Sequence, residues 1–119
     1  MTDRILVVDD EEDILIALKT FYEQHNIEVI AVNNGKDCIK AIERGYTGIV
    51  LIDIMMPKMD GWDTIREIVN RQLIDRVKIK IITGKGTKDH SKIADLASYV
   101  EDYIGKPFSD ETLLAMVQE

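Results

Sequence analysis

The run Gly48-Ile49-Val50-Leu51-Ile52-Asp53 constrains the fold more than any other stretch of the chain. Successive large apolar residues leave a strand no polar face, whichever way its side chains alternate. Such a strand has to be covered on both sides, which marks the centre of a parallel sheet. Parallel neighbours need long crossovers, so helices are expected between the strands. The flanking sequence supplies both. Ile5 to Val8, Val29 to Val32, Val77 to Thr83 and Tyr103-Ile104 read as further strands. Between them the apolar period becomes helical: Ile14, Ala17, Leu18, Phe21 and Tyr22, broken at Asn26; Cys38, Ile39 and Ile42 after an Asn33-Asn34-Gly35 turn; Trp62, Ile65, Ile68 and Val69; and Ile93, Leu96, Ala97 and Val100. Gly45 and Gly48 bracket one break, and Pro57, Asp60 and Gly61 make a loop. A last helix of roughly ten residues starts near Ser109, with Leu113, Met116 and Val117 inward. Five strands and five helices in strict alternation predict an α/β architecture: an open, doubly wound parallel sheet with right-handed crossovers. At 119 residues, a single domain spanning 1–119 is expected.

Charge and composition narrow the function. Fifteen basic against 22 acidic residues give a net charge of −7, which disfavours direct binding of nucleic acid, since phosphate contacts need a basic face. No apolar run approaches the ~20 residues that a membrane-spanning helix requires. Asp3 and Arg4 stand where a secretory leader would begin, and the lone Cys38 can form no internal disulfide. Both features fit a cytoplasmic location.

In an open α/β sheet, chemistry gathers at the C-terminal ends of the strands. Here those ends carry Asp9 and Asp10 after the first strand, Asp53 after the third, Thr83 after the fourth and Lys106 after the fifth. Converging carboxylates repel one another unless a cation joins them, and Mg²⁺ takes oxygen ligands of this kind. A carboxylate that keeps one oxygen free can attack phosphorus and form an aspartyl phosphate. Asp53 ends the most buried strand, which fixes it centrally and makes it the candidate nucleophile; Asp9 and Asp10 are the candidate metal ligands. The ion, Lys106 and the Thr83 hydroxyl can neutralise the phosphoryl oxygens.

The stretches Val7-Val8-Asp9-Asp10-Glu11, Leu51 to Gly61, Ile82-Thr83-Gly84 and Gly105-Lys106-Pro107-Phe108 resemble the receiver domains of two-component response regulators, in order and over essentially the whole chain. The resemblance implies a flavodoxin-like fold with strand order 2-1-3-4-5. It implies that Asp53 accepts a phosphoryl group from the phosphohistidine of a histidine kinase or phosphotransfer protein. Asp10, Asp53 and the backbone carbonyl of Met55 would then bind Mg²⁺ directly, with Asp9 acting through water. Thr83 and Lys106 would hold the phosphoryl group, and Lys106-Pro107 would be a cis peptide. Thr83 and the aromatic Tyr103 would act as switch residues that alter the surface of helix four, strand five and helix five for a downstream protein target. The protein would be a monomer, or a weak dimer once phosphorylated. Two departures stand out. The helix-four turn, Ala97-Ser98-Tyr99-Val100, lacks the family's usual glycine, and the Thr83 to Lys106 spacing is one residue longer than the common pattern. Met55 and Lys85 occupy positions that tune phosphoryl hydrolysis in the family; the Met55 side chain cannot orient a water by hydrogen bonding, so slow self-dephosphorylation is expected.

Other readings fit less well. A haloacid dehalogenase-like phosphatase needs a second acid two residues beyond the nucleophile, and that residue is Met55. A flavodoxin-like cofactor carrier needs a phosphate loop where Asp9-Asp10-Glu11-Glu12 would repel phosphate. Gly84-Lys85-Gly86-Thr87 lacks the spacing of a phosphate-binding loop. A phosphorylation-independent interaction scaffold remains as the alternative, opposed by the intact set of acids. The leading expectation is a signalling module that catalyses only its own phosphorylation and dephosphorylation, not a metabolic enzyme. Cys38 and Trp62 are expected in or near the core, Tyr103 half-buried, and His25 and His90 at the surface.

Overall fold

The computed structural model describes residues 3–84 and 94–118. Strands β1 (Arg4–Val8), β2 (Glu28–Val32), β3 (Gly48–Asp53), β4 (Val77–Thr83) and β5 (Val100–Gly105) alternate with helices α1 (Glu12–Gln24), α2 (Gly35–Glu43), α3 (Gly61–Asn70), α4 (Ala94–Ala97) and α5 (Asp110–Val117). A short 3₁₀ turn at Ile74–Arg76 precedes β4. The strands form one parallel sheet in the order β2-β1-β3-β4-β5. This is the doubly wound sheet expected from the sequence, with β3 at its centre.

The two faces of β3 feed two cores. Val50 and Ile52 join Leu6, Ile79 and Ile81 beneath α2 and α3, where Ile39, Ile42, Ile65 and Ile68 are buried. Ile49 and Leu51 join Ile5, Val7 and Ile82 beneath α1 and α5, with Leu18, Tyr22, Leu113 and Met116. Cys38 lies in the first core, where burial pushes its thiol up to about 12, so it stays protonated and inert. Trp62 packs, partly buried, against the same core.

Local chemistry sets the helix ends. The Asn34 side chain caps α2 by accepting from the Asp37 N–H, and Asp60 and Asp63 form a reciprocal capping box at the head of α3. Gly61 is therefore the first residue of α3 and not part of the preceding loop. Within α1, Leu18, Phe21 and Tyr22 are buried but Ala17 is exposed. Helix α5 is held at its carbonyl end by two buried donors: Tyr22 Oη to Leu113 O at 2.8 Å and Lys80 Nζ to Met116 O at 2.6 Å. A cation at a helix C-terminus meets the negative end of its dipole, which is how a strand lysine can be only 5% exposed.

The fourth helix and fifth strand depart from expectation. Val100 belongs to β5, where it pairs with Ile79; α4 ends at Ala97, and the Tyr99 N–H to Leu96 O bond at 3.0 Å closes the turn. Ile93 lies outside the described residues, as do Lys85, Gly86, Thr87 and His90. Strand β5 is six residues long, not two, because it is an edge strand whose Glu101, Asp102 and Tyr103 face solvent and show no apolar alternation. The last helix has eight residues. In β5 the register slips: Ile79 pairs with Val100 but Lys80 with Asp102. This bulge at Glu101 takes up one residue between Thr83 and Lys106, the same number by which that spacing exceeds the common one.

Candidate functional site

Register brings the acids together. Val8 pairs with Ile52, so the residues that follow β1 and end β3, Asp9 and Asp53, stand side by side. Both are buried, at 0% and 1% exposure. Each has one oxygen anchored by backbone: Asp9 Oδ1 accepts from the Glu11 N–H at 2.9 Å and Asp53 Oδ1 from the Met55 N–H at 3.1 Å. The other oxygens face Lys106, whose Nζ lies 2.7 Å from Asp9 Oδ2 and 3.5 Å from Asp53 Oδ2. Lys106 is placed by its own backbone, since its N–H donates to Thr83 O at 2.8 Å and joins the ends of β4 and β5. The Lys106-Pro107 peptide is cis.

Electrostatics follow from this crowding. Burial raises the Asp53 carboxyl above its ordinary value, and the Asp9 charge adds to it; the Met55 N–H and the Lys106 ammonium only partly offset them. Burial alone would lower Lys106, but its contact with Asp9 and the negative charges of Asp53 and Asp9 outweigh it and hold the ammonium above its ordinary value. A carboxyl raised in the folded state contributes stability that is full below its ordinary value and lost as pH rises through the folded value. Asp53→Asn is therefore expected to stabilise the metal-free protein at pH 7. The gain should shrink as pH falls toward the ordinary carboxylate range; urea melts at neutral and acidic pH check this.

Carboxylate oxygens of Asp9, Asp10, Glu11 and Asp53 lie within 4.8 Å of one another. Among the described residues one ammonium, Lys106, pairs with this cluster, meeting Asp9, Glu11 and Asp53, and Asp9 Oδ2, although buried, makes no directed hydrogen bond and meets Lys106 only as an ion pair. An all-oxygen donor set with a buried oxygen that lacks a directed hydrogen bond and with excess negative charge fits a hard divalent cation. Asp10 is exposed and reaches the cluster from the rim. Glu11 was not singled out by sequence reasoning, yet its Oε1 lies 3.2 Å from Lys106 Nζ. The available signal was its place in the acidic run at the head of α1.

A hollow of about 190 Å³ opens above these groups, lined by Glu11, Asp53, Met55, Gly84 and Lys106. Met55 exposes 51% of its surface at the rim. A side chain at position 84 would lie 3.7 Å from the Lys106 stem, so glycine there keeps the hollow open. Thr83 ends β4 beside it, opposite Gly105, and is not among the lining residues. Tyr103 sits further back on β5, opposite Ile81, and is 37% exposed where half-burial was expected. His25 is at the surface as expected, with Nδ1 2.9 Å from Phe21 O.

Gly61 packs directly on the backbone at the end of β3. A Cβ there would fall 2.5 Å from Asp53 O and 2.8 Å from Ile54 Cα, both rigid backbone atoms. Gly61→Ala is expected to cost about 2 kcal/mol in a denaturant melt, in the range of overpacked cores.

Comparison with known proteins agrees with this geometry. The family profile of the response regulator receiver domain matches residues 5–118. The response regulator SaeR of Staphylococcus aureus is 34% identical over 113 residues, covering 95% of this chain and 48% of that protein, so the chain spans about half the length of this relative. The crystal structure of a CheY-like response regulator receiver domain protein from Methanospirillum hungatei superposes with a TM-score of 0.89 at 40% identity, covering 96% of this chain and 90% of that one. The receiver domain of Francisella response regulator 1452 gives a TM-score of 0.81 at 28% identity, covering 98% and 93% of the two chains. With strand order, acidic strand ends and a profile match over nearly its whole length in agreement, the chain belongs to the response regulator receiver domains of two-component systems.

Proposed function

We propose that this chain is a phosphoacceptor module in which Asp53 receives a phosphoryl group from a histidine kinase or phosphotransfer protein. One observation carries the reading: Asp53, buried at the end of the central strand, has one oxygen pinned by backbone and the other turned toward Lys106 in an open hollow. An Asp53 oxygen forms the new O–P bond while the P–N bond of the phosphohistidine breaks and the imidazole leaves with the electron pair. Lys106 exchanges its contact with Asp53 for the incoming phosphoryl oxygens, and the Thr83 hydroxyl donates to them. Asp9, Asp10, Asp53 and the Met55 carbonyl would hold Mg²⁺. When bound, the ion supplies charge neutralisation at the phosphoryl oxygens. Asp9 remains the fixed negative partner of Lys106 throughout.

The new charge then biases a two-state element. Thr83 moves toward the phosphoryl group and the Tyr103 ring turns inward from its exposed position, changing the α4, β5 and α5 surface that a downstream protein target reads. In this reading the module catalyses only its own phosphorylation and dephosphorylation, acts in the cytoplasm without binding nucleic acid itself, and is a monomer or a weak dimer when phosphorylated. No helix among the described residues is long and apolar enough to cross a membrane. Met55 offers no side-chain hydrogen bond to an attacking water, so the phosphorylated form should decay slowly and Met55→Asn should speed its loss.

The test is incubation of the purified protein with acetyl phosphate and Mg²⁺, followed by intact mass measurement. Addition of one phosphoryl group, abolished by chelator, is expected. No adduct at any time point would favour the phosphorylation-independent scaffold. Thermal melts give a readout independent of activity: Mg²⁺ at about a hundred times its dissociation constant should stabilise the wild type by about 2.7 kcal/mol. Asp53→Asn should gain less.

A further inference from the structure

We infer that the groove between α2 and α3 is a docking site for an acidic, apolar-anchored segment of a partner protein. Two adjoining hollows of about 500 and 380 Å³ share Lys36 and Met59 as lining residues and run from the loop after Asp53 down between the two helices. Each is large enough to seat one or two side chains of a peptide. The walls are apolar where Met56, Pro57, Met59 and Ile39 line them. The rim is cationic on balance: Lys36, Lys40 and Lys58 line it, all exposed and none in an ion pair among the described residues, against the one carboxylate of Asp37, which accepts from the Asn34 amide at 3.0 Å.

Arg71, at the far end, is by contrast held by Glu67 at 2.7 Å and Glu43 at 3.0 Å. On a chain of net charge −7, three lysines against one free-standing lining acid, Asp37, around one apolar groove run against the global field. That pattern fits recognition of an acidic motif, in which rim cations steer and orient while an apolar side chain fills the hollow. It does not fit an isologous contact between two copies, which would face these lysines with themselves. A head-to-tail contact with another copy's acidic face would build an open filament. The inference is independent of phosphorylation, because the groove residues do not take part in the phosphoryl chemistry.

The experiment titrates ¹⁵N-labelled, unphosphorylated protein with a synthetic peptide of aspartate and glutamate carrying two leucines. Control titrations use the same peptide with serine for leucine, its lysine-substituted counterpart, and inorganic phosphate. Saturable amide shifts confined to α2, the 56–59 loop and the start of α3 are expected, at micromolar to sub-millimolar peptide. The combined Lys36→Glu, Lys40→Glu and Lys58→Glu variant should weaken binding about tenfold or more, as should added salt. These side chains are exposed, and an unchanged thermal melt confirms the variant's fold. Absence of shifts at millimolar peptide, shifts on another face, an equal response to the serine peptide or to phosphate, or self-association into filaments would each overturn the assignment.

Discussion

Lys106→Met is expected to slow phosphorylation by acetyl phosphate about 100- to 1000-fold, the usual cost of deleting one pre-placed charge stabiliser. It should also destabilise the metal-free protein. Lys106 is the ammonium against which Asp9 is buried, at 2.7 Å, and it also faces Asp53 and Glu11. Removing one partner of a buried pair strands the other, at a cost of about 3 kcal/mol. Glu11 is exposed and can relax into water; Asp9 and Asp53 cannot. The pH dependence separates the two effects. Lys106 is one of the groups that hold the Asp53 carboxyl down, so in the variant Asp53 should take up a proton more readily and the stability deficit should shrink as pH falls toward the ordinary carboxylate range. The rate defect should persist. Equal stability of variant and wild type at pH 7 in chelator would show that Lys106 is not the counter-ion of the site.

The second large effect is structural. Leu51→Ala is expected to cost about 3 kcal/mol in a urea melt, within the range for buried leucines. Leu51 is fully buried on the α1/α5 face of the central strand, two residues before Asp53, between Val7 of β1, also fully buried, and Lys80 of β4, 5% exposed. The cavity left by the truncation has strands on both sides and little freedom to collapse. Because Asp53 extends the same strand, the loss of packing should also slow phosphorylation, though by less than Lys106→Met. A cost under ~1 kcal/mol would mean that this face of β3 repacks freely.

What was legible from the sequence was whatever depends on one strand at a time. Ile49 to Ile52 reveal a central strand because no polar residue interrupts them, and Asp9, Asp53 and Lys106 follow from asking what stands at strand ends. What was not legible depends on neighbours. Val100 falls at a helical spacing from Leu96, yet pairing with Ile79 claims it for β5. The length of β5 was hidden because its solvent-facing Glu101, Asp102 and Tyr103 carry no apolar signal. The bulge at Glu101 is visible only in the register against β4. Nothing in the strand itself marks Lys80 as buried; that depends on α5 presenting the Met116 carbonyl to it. Glu11 meets the site through groups far along the chain, Asp53 in the acidic cluster and Lys106, 95 residues away.

The most direct test is to locate the phosphoryl group. After reaction with acetyl phosphate and Mg²⁺, the acyl phosphate is trapped by borohydride reduction, the protein digested, and the modified peptide sequenced by mass spectrometry. Reduction at Asp53, absent from Asp53→Asn and from the chelated sample, is the predicted result. A modification on any other residue, or an adduct that persists in Asp53→Asn, would contradict the assignment of Asp53 as phosphoacceptor.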